Sequence, residues 1–344
     1  MPTTLAAFFA VHAATAAGIA PAADPGGLSD TACIGCHADE ALQWFQSPHR
    51  TAFSETPFLV ANEIEPAPFC RRCHAPHADP KVAEITPNAR LGVSCTDCHL
   101  RDEAVVTWNE EPRANRKPSP HAVQRRPRAE SSATCAPCHE FAFPDAALRD
   151  EPLFMQRTMS EHAESRFADT TCVECHMGDT PGPSHEFIAS RSAAMIAEGV
   201  RVDAKRSDAT SVTITLRAGR IGHAFPTGDL FRRVEVGVQT VLEGGEGPSR
   251  VRYLARHFGS QVQSSGIVLR GELGDNRVPA NGEPRVVTLS VPESQGRVLR
   301  WWVEYQRVGH HTSHDPRSAA LDGTIRVAEG ELQPTEPKSG SGTP

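Results

Sequence analysis

Cys33-Ile-Gly-Cys36-His37 opens the stretch of sequence that decides this fold. The stretch runs to residue 176 and contains all ten cysteines of the chain, arranged as five copies of the pattern C-x-x-C-H. The other four copies are Cys70-Arg-Arg-Cys73-His74, Cys95-Thr-Asp-Cys98-His99, Cys135-Ala-Pro-Cys138-His139 and Cys172-Val-Glu-Cys175-His176. Because every cysteine belongs to a motif, none remains for a structural disulfide.

C-x-x-C-H is the attachment sequence of c-type haem. Its two sulfurs bond to the porphyrin vinyl groups, and the adjacent histidine gives the iron its proximal nitrogen. Zinc ribbons and redox dithiols also use C-x-x-C, but neither needs a histidine directly after the second cysteine. The sequence therefore predicts five covalently bound haem c groups, with His37, His74, His99, His139 and His176 as proximal iron ligands.

The composition of the chain limits the other possibilities. A length of 344 residues is typical of two domains. Five haems within one stretch leave little room for an ordinary apolar core, so the porphyrins must supply most of the buried surface there. The formal charge is −7 before any haem propionate is counted, which disfavours nucleic-acid binding.

The beginning of the chain, residues 1–24, is apolar and rich in alanine, which is typical of a secretory signal peptide. Haem is attached covalently outside the bacterial cytoplasm, so the motifs also require export. We therefore expect a periplasmic or extracellular protein, peripheral to a membrane at most. Residues 25–198 form the predicted pentahaem domain, rich in loops and short helices, one of them at Asp39 to Ser47 before Pro48.

After about residue 200, cysteine disappears and apolar residues alternate with polar ones, as strands require. The alternating sets are Val212, Ile214 and Leu216; Val234, Val236 and Val238; Val286 to Leu289; Trp301, Val303 and Tyr305; and Ile325 and Val327. Predicted turns between them contain Gly244-Gly245, Gly247-Pro248, Gly271 and Asn281-Gly282. The pattern predicts an immunoglobulin-like β-sandwich over 199–332 and a disordered tail over 333–344. The fold class is α+β with several domains.

The sixth ligand of each iron decides its chemistry, because histidine there makes a low-spin electron carrier and an open position binds small ligands. The strongest candidates are His49, His121, His185 and His223, the last in the turn Gly222 to Gly228. His77 and His162 are further candidates. A ligand at His223 would join the β-sandwich to the haem domain. The alternative is a turn histidine bonded only to backbone.

Several of these pieces together resemble the superfamily of multihaem c-type cytochromes that includes the nitrifiers' tetrahaem electron carrier, hydroxylamine oxidoreductase and pentahaem nitrite reductase. The matching pieces are Cys33 to His37 with Trp44, Ser47 and His49; Ser119 to Val123; Thr171 to Met177 with His185 and Phe187; and Gly222 to Gly228. The resemblance implies haems in close stacked and perpendicular pairs. All five motifs end in histidine, unlike the C-x-x-C-K motif of the nitrite reductases. The hydroxylamine enzymes carry a tyrosine cross-link, and nothing here matches it, because Tyr253 and Tyr305 both lie outside the haem stretch.

Three functions follow from these observations. The first is electron transfer along mostly bis-histidine haems, from a quinol oxidase or periplasmic donor to a terminal reductase or extracellular acceptor. The second is reduction or oxidation of a small nitrogen or sulfur oxyanion at one open haem. The third is a structural cytochrome that assembles into filaments through the β-sandwich. The residues show no catalytic group beyond haem, which favours the first.

Overall fold

The computed structural model describes residues 30–64, 66–78, 86–87, 89–108, 119–178, 183–310 and 315–334. The predicted signal peptide at 1–24 lies outside the described residues, as does the predicted tail apart from residues 333–334. What is described falls into a helical part that carries the motifs and a sheet part that follows it.

The helices are short, and all but the last lie in the part that carries the motifs. They are Asp30–Ile34 (α1), Ala38–Phe45 (α2), Pro48–Thr51 (α3), Thr56–Ile64 (α4), Arg71–His74 (α5), Cys95–His99 (α6), Ser132–His139 (α7), Thr158–Ala163 (α8), Cys172–His176 (α9) and Ala193–Gly199 (α10). Single 3-10 turns occur at Pro68–Cys70, Ala89–Leu91, Arg128–Glu130, Ala146–Leu148, Pro292–Ser294 and Pro316–Ser318. Within the described ranges, no helix is long and apolar enough to cross a membrane.

Four of the five motifs end a helix with their histidine, and local sequence explains where two of these helices begin. In α9, Thr171 and Glu174 form a capping box, in which the Thr171 N–H donates to the Glu174 carboxylate at 2.6 Å. In α6, Asp97 accepts from the Ser94 N–H at 2.7 Å in the same way. The helix predicted near Asp39 to Ser47 is confirmed as α2, which is followed directly by α3.

The strands divide between small ribbons and two larger sheets. They are Leu100–Arg101 (β1), Ala104–Thr107 (β2), Val123–Arg125 (β3), Glu140–Ala142 (β4), Phe154–Arg157 (β5), Val200–Arg206 (β6), Ser211–Ala218 (β7), Arg232–Leu242 (β8), Gly245–Leu254 (β9), Arg256–Val262 (β10), Val268–Asp275 (β11), Arg285–Ser290 (β12), Leu299–His310 (β13) and Ala320–Leu332 (β14). The larger sheets have the antiparallel orders β12-β7-β6 and β14-β13-β8-β9.

The two larger sheets share one apolar core. Val212, Ile214 and Leu216 of β7 are fully buried, and so are Val234 and Val236 of β8. The alternating positions in the sequence therefore became the inward faces of strands, as predicted. The helix α10 also joins this core through Ile196, so the packing of the sheet part begins before residue 199.

Two predicted turns were wrong. Gly247-Pro248 lies inside β9, and Gly271 lies inside β11. Proline is tolerated in β9 because this strand is at the edge of its sheet. Glycine at 271 leaves room for the Gln261 side chain, which a Cβ at that position would overlap. The ribbon β10-β11 itself was not predicted, because its residues alternate only weakly.

We expect Gly237→Ala to destabilise the sheet part by about 1–3 kcal/mol. Gly237 pairs with Trp302 across β8 and β13, and a Cβ there would overlap the indole ring, whose N–H donates to Glu235 at 2.8 Å. Thermal melting followed by circular dichroism measures the effect. The matched control is Gly274→Ala, where a Cβ meets open space and melting should stay unchanged. Equal melting of both variants would contradict the packing described here.

Candidate haem-binding site

The attachment motifs lie against one another. The Cys73 side chain contacts that of Cys138, and the Cys135 side chain contacts that of Cys172. The Cys172 N–H also donates to the Ser132 hydroxyl of α7 at 3.0 Å. In a c-type cytochrome these sulfurs are thioethers, so their contacts bring the attachment points of neighbouring haems together. The fourth motif touches both the second and the fifth.

The imidazoles of four motifs are oriented by hydrogen bonds from Nδ1. His74 donates to the Ala52 carbonyl at 2.7 Å and His99 to the Val106 carbonyl at 2.9 Å. His139 donates to the Gln156 side-chain oxygen at 3.2 Å, and His176 lies 3.4 Å from the Ile188 carbonyl. Because an acceptor occupies Nδ1, the other nitrogen, Nε2, is left as the metal ligand, which is the usual arrangement at metal-binding histidines.

Three of these motif histidines lie opposite a second histidine. The ring centroids are 6.3 Å apart for His49 and His139, 6.1 Å for His99 and His185, and 6.3 Å for His176 and His223. Two metal–nitrogen bonds of about 2 Å each, plus roughly 1.1 Å from each ring centre to its nitrogen, give about 6.2 Å. The three separations therefore fit an iron held between each pair of rings.

His49 is held by the start of α3. Ser47 caps this helix by accepting from the Arg50 N–H at 3.2 Å. The His49 carbonyl accepts from the Val93 N–H at 2.9 Å. Gly92 makes this approach possible, since it has φ +65° and a Cβ there would overlap that carbonyl. The backbone at His49 is thus fixed from both sides.

The other two partner histidines come from segments after the last motif. The His185 N–H donates to the Gln43 side chain of α2 at 2.9 Å, which ties this segment to the start of the haem stretch. His223 lies in the turn between β7 and β8, and its Nδ1 donates to the Ala224 carbonyl at 3.1 Å. The ring planes of His176 and His223 are 8° from parallel.

Five of the six paired histidines have a pKa below the ordinary histidine value. Burial lowers the pKa of His49 to about 4, with further lowering by His139 and His176. Burial lowers the pKa of His223 to about 3, against a raising effect of its bond to Ala224. Burial also lowers the pKa of His99, His139 and His185. Only neutral imidazole can donate a lone pair to a metal, so these groups are prepared for ligation.

The remaining candidates are placed differently. His77 Nε2 lies 3.0 Å from the Asp97 carboxylate and 2.8 Å from the Thr96 hydroxyl. His121 bonds locally to Ser119 and Ala122. His162 packs against Gly222, where a Cβ would lie 3.0 Å from its ring.

Two motif histidines also stand apart. The His74 ring stacks on Phe58 with centroids 4.1 Å apart, and His37 lies 3.9 Å from the Glu40 carboxylate. In the described parts of the chain, the rings of His37, His74, His121 and His162 face no second histidine ring. Of the four strongest sequence candidates, His49, His185 and His223 therefore lie near a motif histidine, and His121 does not.

Sequence reasoning missed the groups that hold these rings. Most are backbone carbonyls, at Ala52, Val106 and Ile188, and a carbonyl leaves no signal in residue type. Gln43 and Gln156 could be found only from a three-dimensional arrangement. The same holds for Glu161 of α8, whose carboxylate accepts from the Ala224 N–H beside His223 at 3.3 Å.

The chain is similar to known proteins at two levels, a family and a fold. The family model of cytochrome c554 and c-prime matches residues 32–100. The structure is similar to a penta-haem cytochrome c552 from Thermochromatium tepidum, with 20% identity, a TM-score of 0.64, and coverage of 89% of this chain and 98% of that one. A β-glucuronidase 2 from Bacteroides uniformis aligns with 40% of this chain and 13% of its own, at 9% identity and a TM-score of 0.16, too low to carry an argument.

No curated protein matches the chain. The likeness to the cytochrome c552 concerns the fold alone, since the sequences have diverged far. The family match covers the first three attachment motifs, and the fold likeness extends over most of the rest. The motifs and the family match over residues 32–100 support covalently bound haem, as in a multihaem c-type cytochrome, and the structural likeness adds a shared fold.

Proposed function

We propose that this protein is an exported pentahaem c-type cytochrome that transfers electrons between respiratory partners through mostly bis-histidine haems. The observation that carries the proposal is the common separation of the three histidine pairs, 6.1–6.3 Å. A haem iron, when bound, supplies a one-electron redox centre. Two strong axial nitrogens keep such a centre six-coordinate and favour electron transfer over substrate binding.

Contacts among the motifs support a continuous path. The fourth motif contacts the second and the fifth through cysteine side chains. Cys98 of the third motif lies near Cys138, and α1, in which the first motif begins, packs against α6, which carries the third. The polypeptide therefore brings all five attachment sites into one cluster, with the fourth at its centre.

The sheet part contributes one histidine, His223, to the proposed haem ligation. His223 lies between β7 and β8, so the iron that it shares with His176 would be held jointly by both parts of the chain. The 6.3 Å separation between the His176 and His223 rings favours the ligand role of His223 over that of a turn histidine bonded only to Ala224.

The proposed partners are redox proteins. A quinol oxidase or periplasmic donor would supply electrons, and a terminal reductase or extracellular acceptor would take them. Export is proposed because covalent haem attachment occurs outside the bacterial cytoplasm. The acidic charge of −7 supports protein partners over nucleic acid.

One observation favours a second candidate function. His37 and His74 face no second histidine ring in the described part of the chain, and His74 stacks on Phe58 instead. An iron left with one histidine would bind a small ligand. The second candidate is therefore reduction or oxidation of a small nitrogen or sulfur oxyanion at the haem of one of these two motifs.

The first prediction concerns haem content. The purified protein should contain about five haems by pyridine haemochrome assay, since each C-x-x-C-H motif attaches one. The double variant Cys70→Ala, Cys73→Ala should contain about four, because it removes one motif only. Three or fewer haems in the wild-type protein, after expression with a complete maturation system, would overturn the pentahaem proposal.

The second prediction concerns ligation. His49→Ala and His185→Ala should each convert one haem from low spin to high spin and create about one carbon monoxide site per chain, because each removes one axial nitrogen. The control is His257→Ala, an exposed histidine on β10 that should change neither property. A low-spin fraction in His49→Ala equal to that of the wild type would show that His49 is no ligand.

The third prediction separates the two candidate functions. The wild-type protein should exchange electrons reversibly with an electrode without accelerating the turnover of nitrite, hydroxylamine or sulfite. A catalytic current with one of these compounds, together with a carbon monoxide site in the wild-type protein, would favour the open-haem enzyme.

A further inference from the structure

A buried charged cluster joins the helical part to the sheet part. Glu161 of α8 and Arg277, after β11, are 9% and 5% exposed. The Arg277 guanidinium donates to the Glu161 carboxylate at 2.6 Å and to Asp275 at 2.7 Å. Although burial acts to lower it, the pKa of Arg277 is raised by Asp275 and Glu161, so the guanidinium stays charged.

Both members of the pair also bind the turn that carries His223. The second Glu161 oxygen accepts from the Thr227 hydroxyl at 2.7 Å and from the Ala224 N–H at 3.3 Å. Another Arg277 nitrogen donates to the Pro226 carbonyl at 2.9 Å. The turn is therefore held at three successive points, at residues 224, 226 and 227, by one ion pair.

Two successive hydrogen bonds connect the Glu161 carboxylate to the His223 imidazole. Glu161 holds the N–H of Ala224, and the carbonyl of Ala224 accepts from His223 Nδ1 at 3.1 Å. The ring then faces His176, nearly parallel to it. A shift of the carboxylate would thus move Ala224, whose carbonyl orients the ring.

Buried ion pairs seldom add much net stability, because the cost of removing both charges from water offsets their attraction. Their better-supported role is to specify one geometry. Glu161 and Arg277 use their remaining hydrogen bonds to hold the turn that carries His223, so the position of this turn is the geometry that they can specify.

We propose that Glu161 and Arg277 are positioning residues for His223, which keep its imidazole opposite His176 and so keep one iron six-coordinate. The inference rests on the proposed ligation of that iron by His176 and His223. It adds a chemical consequence, because weakening the pair would release His223 and open a small-ligand site.

A second buried arginine provides the matched comparison. Arg256 donates to the Phe154 carbonyl at 2.7 Å and to the Glu272 carboxylate at 2.7 Å, so it too joins the sheet part to the helical part. The guanidinium donates to Met155, Phe154 and Glu272, and none of these residues belongs to the turn at 222–228. If both ion pairs only stabilised the fold, weakening either one would have the same effect on carbon monoxide binding.

The test compares four variants of the full, haem-loaded chain: Glu161→Gln, Thr227→Val, Glu272→Gln and His223→Ala. The readouts are carbon monoxide binding to the reduced protein and the low-spin fraction. We expect about one new carbon monoxide site in His223→Ala. Loss of one charged hydrogen-bond partner should strengthen apparent carbon monoxide binding at that haem on the order of tenfold in Glu161→Gln, and less in Thr227→Val. Glu272→Gln should resemble the wild type.

Added imidazole should restore the low-spin spectrum in His223→Ala and in Glu161→Gln, which a general loss of stability would not produce. If His223→Ala opens no site, the proposed ligation is wrong. If His223→Ala opens a site while Glu161→Gln and Thr227→Val behave like Glu272→Gln, the ligation stands and the positioning role is overturned. Should Glu161→Gln yield no loaded protein, Thr227→Val decides, since it keeps the ion pair and removes one hydroxyl.

Discussion

Two imidazoles that share an iron must be held at a separation set by two metal–nitrogen bonds, and both rings must be neutral. Three pairs of histidine rings in the described structure meet the distance condition, and their members come from elements that are far apart in sequence. Burial lowers the pKa of His49 and His223, and the hydrogen bond from His99 Nδ1 to the Val106 carbonyl leaves Nε2 as the available nitrogen. The short helices, the capping boxes and the turn at His223 can all be understood as means to this arrangement.

The two parts of the chain are stabilised in different ways. The sheets share a continuous core of valine, leucine and isoleucine with Tyr305. In the helical part, a described cluster contains only Phe53 and three alanines, with Phe58 packed against it. Such a small cluster contributes little against the ordering of so many loops. Under the proposed function, the haems would supply further apolar surface around which this part is packed.

Much of this could be predicted from sequence because the informative signals are local. C-x-x-C-H identifies each attachment site without any knowledge of the fold, and alternation at Val212 to Leu216 identifies a strand. The second histidine proposed for each iron is harder to predict from sequence, because the residues around His121 suggest a ligand as strongly as those around His49. Only the tertiary arrangement distinguishes them. Glu161 and Arg277 had no local signal at all, because their role depends on two parts of the chain meeting.

The order of the paired histidines along the chain has a consequence for biogenesis. His49 precedes its partner in the sequence, whereas His185 and His223 follow theirs. Under the proposed ligation, the third and fifth motifs of an exported chain would emerge before the residues that complete their irons. His223 would be in place only once the turn between β7 and β8 has formed. A maturing chain would then pass through a stage in which an incomplete haem is open to small molecules in its compartment, and folding of the sheets would end that exposure.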